Sequence, residues 1–169
     1  MKQESYGTEF FKILVAIDGS ETSMRAAEYA INLSKRENQQ EKQEEIECEL
    51  VGLTVIDLTK LPDSFLATTS VYLGTKELEE KRKEAQQWLD KVKTLAKEQN
   101  YDIRNLKPVI IEEISSRVGH AIVNYAESKN IDLIVIGTRG RTDLRKMLLG
   151  SVASDVVTYA HCPVLVVRT

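Results

Sequence analysis

The chain has 169 residues, 42% apolar and 29% charged, and its 23 Lys and Arg against 26 Asp and Glu give a formal charge of −3. That length and apolar share suit one packed core, and the acidic balance leaves no electrostatic footprint for a nucleic-acid backbone. No apolar run approaches the roughly 18 residues of a membrane span, and Met1 to Thr8 is too polar for a secretion signal, so the cytoplasm is expected and nucleic acid and membrane are excluded as main partners.

Phe10 to Ile17 (FFKILVAI) is a nearly continuous apolar run rich in β-formers, the pattern of a strand covered on both faces. Asp18-Gly19-Ser20 stops it, and Glu21 to Glu37 then carries Ala26, Ala27, Ala30, Ile31 and Leu33 on one side of a helix. Residues 1–9 and 38–46 are polar and are expected to be flexible or solvated, the second as a fraying helix end or connector. Glu49 to Ile56 reads as a second strand, with Cys48 just before it. Residues 57–75, with Pro62, Ser64, Thr68, Thr69 and Ser70, form a long connection of the kind used as a lid or partner surface.

Lys76 to Gln99 is the clearest helix, with Leu78, Ala85, Trp88, Leu89, Val92, Leu95 and Ala96 in a stripe and Glu77/Lys81 and Glu79/Lys83 at i,i+4 spacing. Pro108 to Ile111 follows as a strand and Ser116 to Lys129 as a helix that Ser116 can cap. Ile131 to Ile136 is the fourth strand, Ser151 to Ala160 the fourth helix and Val164 to Val167 the last strand. This alternation predicts one doubly wound, Rossmann-like α/β domain over residues 1–169, a five-stranded, mainly parallel sheet with helices on both faces. The two cysteines, Cys48 and Cys162, lack C-x-x-C spacing and are expected to stay reduced, outside any zinc site or disulfide framework.

In such sheets ligands sit beyond the carboxyl ends of the strands where the strand order reverses, and two loops meet that rule. One is Asp18-Gly19-Ser20. The other is Gly137-Thr138-Arg139-Gly140, followed after nine residues by Gly150-Ser151. The two early glycines let the chain turn and let a ligand approach the backbone, and a helix opening at Ser151 aims free N–H groups at an anion. Arg139, Arg141, Arg145 and Lys146 against Asp143 make this stretch locally +3, which suits phosphates. The plainer alternative is an ordinary turn at Gly137 and Gly140 with Ser151 as a simple cap.

The G-2x-G-9x-G-S spacing, the opening Ile13 to Ser20, the segment Thr54-Val55-Ile56-Asp57 and the ending Cys162 to Val167 together resemble the universal stress protein family, over nearly the whole chain from Lys12 to Val167. The resemblance is to its ATP-binding branch, whose architecture is adenine nucleotide alpha hydrolase-like. It implies that Ala16, Ile17 and Asp18 lie beside ribose and adenine, and that Val55 presents its backbone to the adenine edge. It further implies that Gly137, Thr138, Arg139, Gly140 and Arg141 follow the ribose and first phosphates, and that Gly150, Ser151 and Val152 bind the phosphate tail. Asp18 has an alternative as a turn-forming Asx residue. The nucleotide is ATP, or AMP or ADP, with Mg²⁺ or Mn²⁺ held mainly by the phosphates rather than by protein ligands.

Two departures from the family pattern stand out: Ala153 lies where a hydroxyl residue is common, and Ser116 where glycine is. The resemblance also implies a homodimer through Val164, Leu165, Val166 and Val167, a run that would be an apolar sheet edge if left unpaired. A catalytic reading finds only His120 and His161, with no H-x-x-x-H or H-E-x-x-H spacing, no H-x-G-H, no S-G-G-x-D-S and no G-x-x-x-x-G-K-[ST]. The favoured function is a nucleotide-dependent regulatory switch that signals to a protein partner. A slow ATPase or phosphotransfer enzyme, and a nucleotide-free interaction protein, are the alternatives.

Overall fold

The structure is a computed structural model and describes residues 10–39, 47–61, 76–115, 117–138 and 149–168. Its elements run β1 (Lys12–Ala16), α1 (Glu21–Gln39), β2 (Glu49–Asp57), α2 (Lys76–Glu98), β3 (Leu106–Glu113), α3 (Val118–Ser128), β4 (Leu133–Gly137), α4 (Ser151–Tyr159) and β5 (Val164–Val167). Short 3₁₀ turns at Leu58–Lys60 and Ile103–Asn105 follow β2 and precede β3. The strand order is β3-β2-β1-β4-β5 and every pairing is parallel. The expected architecture therefore holds, and β1 and β4, the first and fourth strands, are neighbours at the point where the order reverses.

Each face of the sheet carries two helices because the central strands send apolar side chains to both faces, as at Ile13 to Val15 and Leu133 to Ile136. Alternate side chains go to opposite faces. Ile13 and Val15 of β1 pack with Ala26, Ala27, Ala30 and Ile31 of α1 and with Leu89, Val92 and Ala96 of α2. Leu14, with Ile134 and Ile136 of β4, packs on the other side against Ile122 and Ala126 of α3 and Val156 of α4. A smaller cluster of Ile56, Leu58, Leu61, Leu78 and Ala85 joins the end of β2 to the start of α2.

Several boundaries differ from the sequence expectation. β1 starts at Lys12, not Phe10, because the carboxylate of Asp132 accepts the N–H groups of Phe11 (3.0 Å) and Lys12 (2.8 Å) and ends the ladder there. β2 includes Asp57, and β3 is twice the expected length: the two stay paired out to Asp57 and Glu113, since polar side chains cost little on an edge strand with an exposed face. Asn38 is helical and its Oδ1 accepts from the Cys48 N–H at 2.5 Å, so it is part of the fold rather than of a solvated connector. α3 begins after Arg117 with no side-chain cap, and the expected capping residue Ser116 lies outside the described residues.

On α2, Lys81 pairs with Glu84 (3.0 Å) and Glu79 with Arg82 (2.6 Å), in place of the expected Glu77/Lys81 and Glu79/Lys83 pairs. Arg82 also reaches Glu112 of β3 at 2.6 Å, its fork spanning two carboxylates. Neither cysteine is in a disulfide; Cys48 is fully buried and Cys162 half-buried.

Candidate functional site

The loop after β1 is built by three short polar side chains. Asp18 Oδ1 accepts from the Ser20 N–H (3.0 Å) and the Ser20 hydroxyl (2.6 Å), and Ser20 Oγ in turn accepts from the Ser23 N–H (3.2 Å). Asp18 thus makes the Asx turn weighed above, and Ser20 is the N-cap of α1. Replacing Ser20 with alanine removes the cap and one Asp18 partner. A loss of about 1–2 kcal/mol in denaturant unfolding is expected, and an unchanged midpoint would show that the loop stands without it. Gly19 between them has φ +79, the left-handed conformation that side chains disfavour.

Beside this loop, β2 outruns β1. The Ile17 N–H donates to Leu53 O at 2.8 Å, the last bond between the two strands, whereas β2 goes on to Asp57 paired only with β3. Backbone groups two residues apart share a strand edge, so the N–H and C=O of Val55 face the space that β1 has vacated.

On the other side of β1, β4 ends at Gly137. The expectation was a turn glycine; instead it is the last residue of the strand, and a Cβ there would lie 2.9 Å from the backbone carbonyl carbon of Thr22 and 2.9 Å from its Cβ. Its smallness serves close approach of α1 to the strand. The Thr138 N–H donates to Val167 O and Thr138 O accepts from the Gly150 N–H, both at 2.8 Å. These two bonds bring the chain back beside β4 and start α4 there. They also commit the Gly150 amide, so it is not a donor for a ligand.

α4 has Gly150 as N-cap, with φ −71 and ψ 159 and no side-chain cap. Its first internal bond is from the Ser154 N–H to Gly150 O at 2.8 Å. The N–H groups of Ser151, Val152 and Ala153 precede that bond and are the orphan donors every helix start exposes, at the positive end of its dipole.

These pieces enclose one cavity of about 470 Å³, within the range of small-ligand sites. Ala16, Ile17, Asp18, Val55, Gly137, Thr138, Gly150, Ser151 and Val152 all line it. Arg139, Gly140 and Arg141, with the rest of the local basic cluster, lie outside the described residues. Ala153 also lines the cavity and is 3% exposed.

One wall was not expected from the sequence. Lys60 and Asp57 at the end of β2, and Lys81, Glu84 and Trp88 of α2, complete the lining. Burial acts to raise the Asp57 carboxyl, but hydrogen bonds from the Thr59 hydroxyl (2.6 Å) and N–H (3.1 Å), with Lys60 at 3.3 Å, hold it below its ordinary value. The pair Lys81–Glu84 is closed at 3.0 Å. The stripe on α2 marked Trp88 as core, and no local signal says that this helix reaches past the strand ends.

Neither histidine lines the cavity. His120 of α3 stacks on Tyr159 of α4 with ring centroids 4.7 Å apart, and His161 is exposed beyond α4. Among the described residues no group of three or more His, Cys, Asp or Glu side chains can hold a metal ion, and no helix is long and apolar enough to cross a membrane.

An all-parallel five-stranded sheet with two helices on each face and a cavity at its switch point defines an α/β protein of the doubly wound class. Comparison with known proteins narrows the class: the universal stress protein family matches residues 9–168, and the chain belongs to that family. It is 38% identical over 157 residues to universal stress protein MJ0531 of Methanocaldococcus jannaschii, spanning 93% of this chain and 81% of the relative. The solved structure of MJ0577, from the same organism, superposes with a TM-score of 0.70 at 28% identity, covering 95% of this chain and 97% of that one. A universal stress protein from Archaeoglobus fulgidus, solved in complex with dAMP, shares the fold with a TM-score of 0.61 at 17% identity, over 94% of this chain and 98% of that one.

Proposed function

We propose that this chain is an adenine-nucleotide-binding regulatory module, taking ATP, or AMP or ADP, in the cavity at the switch point. The observation that carries this reading is the convergence on one cavity of two complementary sets of main-chain groups. The N–H and C=O of Val55 offer the donor and acceptor that an adenine edge requires. The Ser151 and Val152 N–H groups offer the donors that a phosphate requires. Asp18, between them, keeps Oδ2 clear of the Asx turn and suits a ribose hydroxyl. Mg²⁺ or Mn²⁺ would ride on the phosphates.

Among the described residues the cavity is lined by no histidine or cysteine to act as base or nucleophile, and the reading is of retention and signalling rather than turnover. Mass spectrometry of the purified, denatured protein should release adenine nucleotide, and calorimetry on emptied protein should show ATP binding with Mg²⁺. ATP converted to ADP in a single turnover would instead support the slow-hydrolase alternative, and no nucleotide in either experiment would support an interaction protein.

The homodimer belongs to the same reading. The two edges of the sheet differ: β3 carries Lys107, Pro108, Glu112 and Glu113, the residues that discourage pairing, whereas β5 is Val-Leu-Val-Val with Leu165 39% exposed. Val157 and Tyr159 of α4 are also exposed, at 47% and 55%. Val166 packs against the inner core, so Leu165 is the better probe of the edge. Leu165→Lys should convert a dimer to monomer in sedimentation without loss of helix content; a persistent dimer would locate the interface elsewhere.

A further inference from the structure

Trp88 is the chain's single tryptophan, and it stands where three parts of the molecule meet. It lines the cavity from α2 together with Lys81 and Glu84, residues at i, i+3 and i+7 that share one helical face. The charged pair on that face is closed on itself at 3.0 Å, which leaves the indole as its apolar surface. Trp88 also lies against Gly19 of the Asp18 loop: a Cβ at position 19 would be 2.4 Å from Nε1, 2.5 Å from Cε2 and 2.8 Å from Cδ1. Finally, the same side chain packs both on the central core and on the smaller cluster of Ile56, Leu58, Leu61, Leu78 and Ala85.

We infer that Trp88 is a ligand-contacting residue of the nucleotide cavity and the side chain through which occupancy is felt by the cluster joining β2 to α2. The inference rests on the nucleotide reading above. A planar, apolar wall suits the sugar and base of a nucleotide, whose charge lies at the opposite, amide-lined end. A ligand that presses on the indole cannot displace it towards Gly19, where the pyrrole edge is already in contact. The displacement, or its suppression, passes instead to Leu78 and Ala85, one to three turns back along α2, and to Leu58 and Leu61 packed beneath them. Gly19 then has two reasons to be glycine, its positive φ and the ring against its Cα.

Intrinsic fluorescence tests this directly because only one indole emits. Titration of the full chain with ATP and Mg²⁺ should change the emission along a saturation curve whose Kd equals that from calorimetry. Trp88→Ala should weaken ATP by about tenfold to a hundredfold, in the range of lost aromatic stacking, while Trp88→Phe, which keeps a flat ring and guards against a folding failure, should lose about threefold or less. Gly19→Ala, which displaces the indole, should weaken ATP about as much as Trp88→Ala. Hydrogen exchange of the amides from Leu78 to Ala85 should slow with ATP in the natural chain and not in Trp88→Ala, a readout that a purely structural tryptophan would not move.

ATP bound in the calorimeter with no change in emission, or bound with unaltered Kd by Trp88→Ala, overturns the inference and leaves the nucleotide reading standing. No calorimetric binding by the natural chain overturns both.

Discussion

Ser151→Pro is expected to weaken ATP binding by about a hundredfold while leaving the fold intact. Proline at this position removes one main-chain N–H and one hydroxyl from the cavity, two donors to a charged ligand worth about 1.5–3 kcal/mol each before compensation. A hundredfold change in Kd corresponds to about 2.7 kcal/mol, so even incomplete loss of the two bonds is visible. The helix should tolerate the change because Ser151 is the first residue of α4, where the N–H has no intrahelical partner and the proline ring meets no preceding turn. The residue before a proline must be extended, and Gly150 already is, with ψ 159. Its carbonyl keeps the bond from Ser154. Calorimetry and a thermal melt check the two halves of the prediction: an unchanged Kd at an unchanged Tm would put the phosphates elsewhere.

Gly137→Val carries the largest expected effect on stability, and its sign is the reverse of what strand propensity suggests. Valine is a better strand former than glycine, so on propensity alone the change should help β4. In the structure every atom of space beyond the Gly137 Cα is taken by Thr22: its backbone carbon, Cβ and Oγ1 would each lie 2.9 Å from a new Cβ. Backbone atoms cannot yield as a side-chain tip can, so α1 would have to back away from β4, uncovering Ala26 and Val135 in the core. A loss of about 3 kcal/mol is expected, at the upper end for overpacking. For a chain of this size that corresponds to a fall in Tm of about 6–12 °C. Urea unfolding measures it, and a midpoint equal to that of the natural chain would mean that α1 is not seated as described.

Much of the architecture was legible because it rests on local pattern. Continuous apolar runs at Ile13–Val15 and Ile134–Ile136, short, rich in β-formers and bounded by Gly and Asp, read as strands covered on both sides, and the intervening helical stripes supply the cover. A strand-helix alternation with parallel crossovers leaves few possible topologies, so a candidate crevice could be placed at the strand ends before β1 and β4 were known to be adjacent. Nine of the twelve expected site residues lie among the described residues and line one cavity: Ile17, Asp18 and Thr138 just past a strand end, Ala16, Val55 and Gly137 within the last residues of their strands, and Gly150, Ser151 and Val152 at the opening of α4.

What local pattern could not supply is set by contacts between elements far apart in the chain. Whether an amide is available depends on what else accepts it, and the Gly150 N–H is taken by Thr138 O. Arg82 of α2 is shared between Glu79 of its own helix and Glu112 of β3, and helical spacing gives no sign of the second partner. The sequence by itself determined the order of strands and helices, their amphipathic faces and the glycine and serine positions beside the strand ends, because each of these is a property of a few consecutive residues. Only the tertiary structure decided that Gly137 makes room for Thr22 and that Trp88 of α2 reaches the loop at Gly19. Those contacts join residues remote in the chain, and close packing, not periodicity, determines which of them meet.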